Sequence, residues 1–533
     1  MSNKFYILRY SLPPEPVDCQ QKRLDLLVEV CKQAKIDEVM FFVLPEEYNR
    51  GQWRKADYAP WLDFIVKAKA VVEEMGLSTS LNPWHTLLHV DRGRKSEDLD
   101  YRRMVMDTGE TCTSVACPSC PQWKEIFFSA FRDFARTGFK TIWVEDDFRF
   151  HNHGYGWGGC FCDEHISELR KRGAVATTRE ELISNLNAEG WVHPDRSIWI
   201  SMMSEAHLEI AKSLREIVDE IDSSINLGLM CSQFKAHALE GRDSLRLLEA
   251  LGGAENVPVR PHAAPYMDTC GCEQMLYMAN LSMSLEVLPK NTKTYFEIEN
   301  HPMSRFSKSS DQTVAQMAFA VEGGCDGLTL DVLDMFGTGP DSEPYVIPML
   351  CENKEKLISL KNLSSGKEAI GIKNILPLDT AKLSPGTGEA NLHSIPNIDY
   401  GWFVFLQSCG YPCINTNKVP ENSKMPISLS DSSVYAIEKK TLKSMLGNRL
   451  CLIDSKAAGA IYEMGMGGLI GIKKLTCMSH SVHPFSFEQA IERSQEQIPE
   501  RAGLNLAGPT YKVSSNRSQG INVDYGHSND GNG

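Results

Sequence analysis

The chain has 533 residues, of which 42 % are hydrophobic and 23 % charged, as in ordinary globular proteins. That balance excludes a mainly disordered chain, a collagen and a coiled-coil rod, and the length corresponds to roughly two to four domains. The formal net charge is −14 and no Lys/Arg cluster stands out, so no nucleic-acid footprint is expected.

The first ten residues lack the apolar core of a signal peptide, and Arg9 interrupts the first apolar run. No window approaches the roughly 18 apolar residues of a membrane helix. The 16 Cys are scattered along the whole length, unlike a disulfide-stapled domain. A reduced, cytoplasmic protein that makes no membrane contact is the expectation.

In chain order, β-like runs fall at Phe5–Tyr10, Glu38–Leu44, Leu77–Asn82, Lys140–Glu145, Asn226–Cys231, Val257–His262, Lys293–Glu299 and Gly327–Val332. Between them lie helix-like stretches such as Gln21–Ala34 and Trp61–Met75. Eight such β-α units predict an α/β fold, a (β/α)8 TIM barrel over residues 1–360, with a doubly wound open sheet as the alternative. The longest insertion precedes the fourth strand and another follows it. Loops that long at strand ends carry function.

Ser- and Gly-rich Leu360–Gly366 and Leu383–Gly388 mark a boundary. Beyond it lie Ala369–Asn374, Gly401–Gly410, Leu450–Asp454, a helix-like Lys456–Met464 and a Gly-rich turn into Leu469–Ile472. They predict a smaller α/β domain over 361–513. Without a phosphate-binding glycine fingerprint it reads as an interface, with Gly401–Leu406 and Leu469–Ile472 as apolar surface for core or contact. Residues 514–533, rich in Ser, Asn and Gly, are expected to be disordered.

Strand four ends in Glu145, Asp146 and Asp147, three consecutive acids directly after an apolar strand. On strand seven, Tyr295, Glu297 and Glu299 share one face by the period of two. Two inward acids need a reason. Glycoside hydrolysis, with carboxyl groups on both sides of the scissile bond, supplies one. A divalent metal held by carboxylates and His, as in sugar isomerases and aldolases, supplies another. Asn82, Trp84, His85, Arg260, His262, His301, Asp331 and Phe336 stand at other strand ends, and His151 and His153 follow strand four. Trp84, Tyr155 and Trp157 suit the apolar faces of a sugar ring, whereas Trp143 reads as core.

After strand four, Cys160, Cys162 and His165 stand at metal-ligand spacing, and the upstream loop offers Cys112, Cys117 and Cys120 as a fourth ligand. A closed four-ligand site would be structural and would pin two insertions together. Free buried cysteines with a chance His are the alternative.

Taken together, these residues resemble the clan A glycoside hydrolases, above all the family 42 β-galactosidases and divergent relatives that include β-mannosidases. The resemblance covers roughly residues 1 to 480. It implies a barrel, with a zinc-loop insertion at about 108–195, followed by a trimerisation domain. It assigns Asp146-Asp147 to the Asn-Glu step of strand four, making Asp147 the acid/base and Asp146 a sugar ligand. By the same resemblance Glu299, followed by Asn300-His301-Pro302, is the nucleophile. Glu145 and Glu297 are the respective second candidates. Cys117, next to Pro118, joins Cys160, Cys162 and His165 as the zinc set, with His in place of a last Cys. The segments Leu186–Trp191 and Leu452–Gly467 also resemble the family.

The function expected from these features is a retaining exo-β-glycosidase acting on terminal β-D-galactosides or mannosides, assembled as a homotrimer, with structural zinc and no organic cofactor. An inverting glycosidase, a non-catalytic carbohydrate-binding barrel and a metal-dependent isomerase or aldolase are the competing readings. Asn82, Trp84, His85, Arg260, His262, Tyr295, His301 and Asp331 are the expected substrate ligands beside Asp146.

Overall fold

The computed structural model describes residues 4–477 except 46–47, 49–50, 85, 88–98, 152–158, 253–256, 263, 270, 302–306, 337, 340–342, 368 and 422–423, and beyond them 486–489, 503–506 and 511–515. Eight parallel strands follow one another around a barrel: β1 (Tyr6–Tyr10), β2 (Glu38–Val43), β3 (Ser78–Pro83), β4 (Thr141–Val144), β5 (Asn226–Met230), β6 (Val259–Arg260), β7 (Tyr295–Glu299) and β8 (Gly327–Asp331). β1 pairs with β8, and a parallel bridge from Val259 to Thr294 brings β6 against β7. Each strand lies within one of the eight expected runs or overlaps it to within a residue.

These segments become strands because they are short and buried on both faces, as a parallel sheet under helices requires, and most of them are apolar. β2 reads Glu-Val-Met-Phe-Phe-Val and is buried along its whole length. The helices between strands bury one stripe each. Lys55–Glu74 turns Trp61, Leu62, Ile65, Ala68 and Val72 inward and keeps its charged residues outside.

The insertion before β4 contains an antiparallel hairpin (Arg103–Val105 with Thr111–Ala116), and the one after β4 carries helices Asp163–Lys171 and Arg179–Leu186. Asn187, which follows the second helix, anchors the linker to the next domain. Its amide donates to Thr387 Oγ1 at 2.9 Å, Glu389 O at 2.9 Å and Ser394 Oγ at 2.8 Å.

The second domain is a parallel sheet of β9 (Ile372–Ile375), β10 (Cys413–Thr416), β11 (Ile427–Leu429) and β12 (Cys451–Ile453), in the order β10-β9-β11-β12. This is the doubly wound order of flavodoxin-like folds. The apolar run at Gly401–Gly410 is a helix, Gly401–Ser408. Asp399 accepts the Gly401 amide at 2.6 Å, which satisfies a first-turn donor. Phe403 and Leu406 pack with Ala279, Met283 and Val287 of the barrel helix Gly271–Val287, so this run is core between the domains. Leu469 belongs to the one-turn helix Gly467–Ile470, and Gly471, at φ 74°, turns the chain into the strand Ile472–Cys477. That strand pairs with Tyr511–Ser515, so Ser514 and Ser515 are ordered where disorder was expected; residues 516–533 lie outside the described residues.

Candidate active site

Alternation along the strands sends every second side chain into the barrel. The lower interior layer is apolar: Ile7, Met40, Trp143 and Met230 pack together, with Tyr295 against them. Gly228 makes room for the indole, since a Cβ there would lie 2.3 Å from the Trp143 ring. Tyr295 meets Trp143 edge-on at 6.3 Å. The expected substrate ligand Tyr295 is therefore barrel floor, beneath the polar groups.

Two residues further along the same strands, the interior becomes charged. Arg9 on β1 donates to Asn82 Oδ1 at 3.1 Å, Glu145 Oε2 at 3.3 Å and Asp331 Oδ2 at 3.2 Å. Its Nη1 also lies 3.7 Å from Glu299 and 3.9 Å from Glu297. Arg260 on β6 donates to Glu145 Oε1 at 3.1 Å and ion-pairs with Glu297. Asn82 donates to Glu145 Oε2 at 2.5 Å. The face of Arg9 lies 4.3 Å over the Phe42 ring, and Trp84 tilts against the same ring at 5.7 Å.

Two guanidiniums thus face four buried acids, Glu145, Glu297, Glu299 and Asp331. Buried charges persist only when paired, so a surplus of acids raises the pKa values of some of them. Burial, with Asp331 and Glu297 alongside, pushes Glu299 well above the usual carboxylate range. Burial also raises Asp331, to about 7, against the pull of Arg9. Glu299 and Asp331 stand opposite one another across β7 and β8.

Glu297 has a partner on each oxygen, a cation on one and a hydroxyl donor on the other. Arg260 pairs with Oε1, while the Tyr266 hydroxyl donates to Oε2 at 3.0 Å. Burial and Glu297 hold the Tyr266 phenol far above its usual range, so it keeps its proton. His262 Nδ1 lies 3.4 Å from Glu297, and burial lowers its pKa, which favours the neutral ring. The His301 amide donates to Tyr266 O at 3.1 Å.

The strand-four acids have three different surroundings. Glu145 is clamped by Asn82, Arg9 and Arg260. Asp147 is fully buried, and both its oxygens accept from the Thr86 amide. Asp146 keeps 15 % of its side chain exposed and accepts from Ser232 Oγ at 3.1 Å, with Arg149 at 3.4 Å. His85, His153, Tyr155, Trp157 and Pro302 lie outside the described residues.

Arg9, Thr86, Ser232 and Tyr266 were not singled out from the sequence. Arg9 carried a signal: an arginine at an inward position of an apolar strand must find acids. Tyr266 stands on a loop and carried none.

His151, His237 and Glu240 form a second buried group. His237 Nε2 accepts from the Ser232 amide at 3.0 Å, which leaves its Nδ1 proton for Glu240 at 2.6 Å. With both nitrogens of His237 engaged, this group ties the β4 and β5 loops together.

The cysteine cluster does fit a metal. The ligand atoms of Cys117, Cys160, Cys162 and His165 all lie within 4.8 Å of one another, and all four residues are buried. His165 presents Nδ1 to the sulfurs, 3.1 Å from Cys162 and 3.8 Å from Cys117, while Nε2 meets Ser119 Oγ at 2.9 Å. Such a bond on the remote nitrogen orients a ligating imidazole. Hydrogen bonds from Cys160 and Cys162 pull the Cys117 thiol down to about 3, toward the thiolate a metal needs. Three thiolates and one imidazole are a zinc donor set without an open position, so zinc would supply a structural cross-link between the two insertions. Cys120 stands apart, accepting the Arg102 amide at 3.1 Å.

A barrel with acids from two strand ends around paired arginines, followed by a small doubly wound domain, defines the architecture. Among solved structures, the chain is similar to a β-galactosidase from Rahnella sp. R3, with TM-score 0.60 and 10 % identity over 97 % of this chain and 80 % of that one. It is similar to the exo-β-1,4-mannosidase Op5Man5 from Opitutaceae bacterium strain TAV5, with TM-score 0.51 and 12 % identity over 97 % of this chain and 88 % of that one. A β-galactosidase from Bacillus circulans sp. alkalophilus matches with TM-score 0.52 and 14 % identity over 80 % of this chain and 67 % of that one. At these identities the shared property is the fold, a (β/α)8 TIM barrel. No protein-family model and no curated protein sequence matches the chain.

Proposed function

We propose that the chain is a retaining, exo-acting β-glycosidase that hydrolyses terminal β-D-galactosides or β-D-mannosides at the barrel mouth. One relationship carries the reading. Carboxylates from the ends of β4 and β7 converge on the same groups: Arg260 bonds Glu145 Oε1 at 3.1 Å and pairs with Glu297, the Tyr266 hydroxyl donates to Glu297 at 3.0 Å, and Asp146 lies near enough to act on both Arg260 and Tyr266. Two carboxyl groups flanking one small site are what glycoside hydrolysis requires.

In this reading Glu297 attacks the anomeric carbon while Asp146 protonates the departing oxygen. Asp146 then takes a proton from water as the glycosyl-enzyme is hydrolysed. A nucleophile has to be an anion with its lone pairs directed. The ion pair and hydroxyl donor on the two oxygens of Glu297 support that role better than the surroundings of Glu299, the acid preferred from sequence, whose burial beside Asp331 and Glu297 raises its pKa. Asp147 is the weaker acid/base because Thr86 occupies both its oxygens, and the role passes to its partly exposed neighbour. Glu145 and Asn82 orient the arginines, and Glu299, Asp331 and Trp84 offer contacts to sugar hydroxyls and ring faces.

Arg9 and Arg260 stand among the acids where a catalytic cation would sit, which weighs against the isomerase reading. A panel of aryl β-glycosides (galactose, mannose, glucose, fucose, arabinose), with the anomer of the released sugar followed by NMR, tests the proposal. No turnover on any of them, or release of the inverted anomer, overturns it.

We further propose a cytoplasmic homotrimer assembled through the second domain. Ile370, Tyr411 and Leu450, at the amino ends of its strands, are 82, 61 and 61 % exposed, which supports a contact there. Sedimentation showing a monomer at micromolar concentration overturns the assembly.

A further inference from the structure

Behind the end of β7 lies a buried lysine that the mechanism above does not use. Lys308 is 1 % exposed. Its Nζ donates to the main-chain carbonyl of Glu299 at 2.7 Å, to Gln316 Oε1 at 2.5 Å and to Pro265 O at 3.4 Å. Gln316 Nε2 donates to the same Pro265 carbonyl at 2.9 Å. Among the described residues no carboxylate lies in ion-pair range of this amine. Glu299, Glu297 and Asp268 are the acids that act on it from a distance, and burial lowers it to about 7.

A buried ammonium held only by neutral acceptors is costly, and a simple packing role would be served by an apolar side chain. What the three acceptors share is position. Glu299 is the last residue of β7, and Pro265 directly precedes Tyr266, whose hydroxyl meets Glu297. Lys308 and Gln316 therefore tie the strand that bears the carboxylate to the turn that bears its hydrogen-bond donor. Both partners of the Tyr266–Glu297 bond are referred to one amine. The Tyr345 hydroxyl and the Lys308 carbonyl, 3.4 Å apart, add a further tether to this segment.

We propose that Lys308, braced by Gln316, is a positioning residue that sets the Tyr266 hydroxyl against Glu297 and thereby orients the nucleophile. The inference rests on the glycosidase reading. It assigns Lys308 no contact with substrate. Its effect reaches the reaction through Tyr266.

The test is a double-mutant cycle on the full-length protein, with an activated aryl β-glycoside as substrate. Tyr266→Phe and Lys308→Met should each lower kcat by roughly 10- to 100-fold, the size set by a hydrogen bond to a charged group, with KM little changed. The double variant should be no slower than the slower single one. Lys308→Arg, which keeps donors on a long stem, should recover part of the rate. If Lys308→Met does not fold, Gln316→Leu replaces it in the same cycle. It removes one bond to the amine and one to Pro265. Rate losses that multiply in the double variant, or a Lys308→Met protein with wild-type kcat, overturn the inference alone. A wild-type protein without turnover on any aryl glycoside overturns the glycosidase reading and this inference with it.

Discussion

Asp147 and Thr86 lock the end of β4 to the loop after β3. The Thr86 amide donates to both carboxylate oxygens, at 2.9 and 2.8 Å, and its hydroxyl donates to Oδ1 at 2.8 Å. The acid to which the family resemblance assigns proton transfer thus also holds two loops together. Asp147→Ala should cost about 1–3 kcal/mol of stability by leaving these donors unmet, measured by urea unfolding. A variant as stable as the wild type that has lost turnover only on poor leaving groups would return the acid/base role to Asp147.

The catalytic pair separates by leaving group. Glu297→Ala should abolish turnover on every glycoside, since the intermediate then has no carboxylate to form on. Asp146→Ala should slow substrates with poor leaving groups by about 10²–10⁴-fold and activated aryl glycosides far less. Added azide should restore the second variant and yield a β-glycosyl azide. A mechanism-based fluorosugar should label Glu297, and a label on Glu299 would reverse the order of the two strand-seven acids.

Stability should depend on pH through Asp331. Its folded pKa, about 7, lies above the ordinary aspartate value of 3.8, so the folded state binds the proton more tightly than the unfolded state. Such a group stabilises below its unfolded pKa, and that contribution fades as pH rises through the folded value. Asp331→Asn, which keeps an acceptor for Arg9, should flatten the decline in melting temperature between about pH 4 and pH 7. An unchanged profile in the variant would mean that Asp331 is ionised throughout.

Zinc should be present at one ion per chain, bound by Cys117, Cys160, Cys162 and His165, with Zn–S near ~2.3 Å. Chelation, or Cys162→Ser, should lower the melting temperature before turnover falls, because the cluster ties insertions together and stands apart from the acids at the mouth. Metal-free protein from a chelator-free purification, found by elemental analysis, would refute the site.

Much of the fold was legible because it is written in local pattern. Eight short apolar runs separated by amphipathic stretches admit few parallel arrangements, and each run became a barrel strand. Three members of the buried Cys117, Cys160, Cys162 and His165 cluster were legible for the same reason, since they lie within six residues at fixed spacing. Gly401–Gly410 was not legible. An apolar run of that length has no decisive period, and only its burial against the barrel helix Gly271–Val287 makes it helical.

Residue order was enough to show which strands carry acids and which side chains face inward, because a period of two needs no knowledge of partners. Which acids are charged, clamped or open was decided only by tertiary structure. Glu297 and Glu299 are equivalent in pattern, yet one meets Arg260 and Tyr266 while the other faces Asp331. Asp146 and Asp147 are neighbours, yet one reaches the mouth and the other is held by Thr86. Ionisation and access depend on what distant segments bring within a few ångströms, and neither spacing nor composition records that distance.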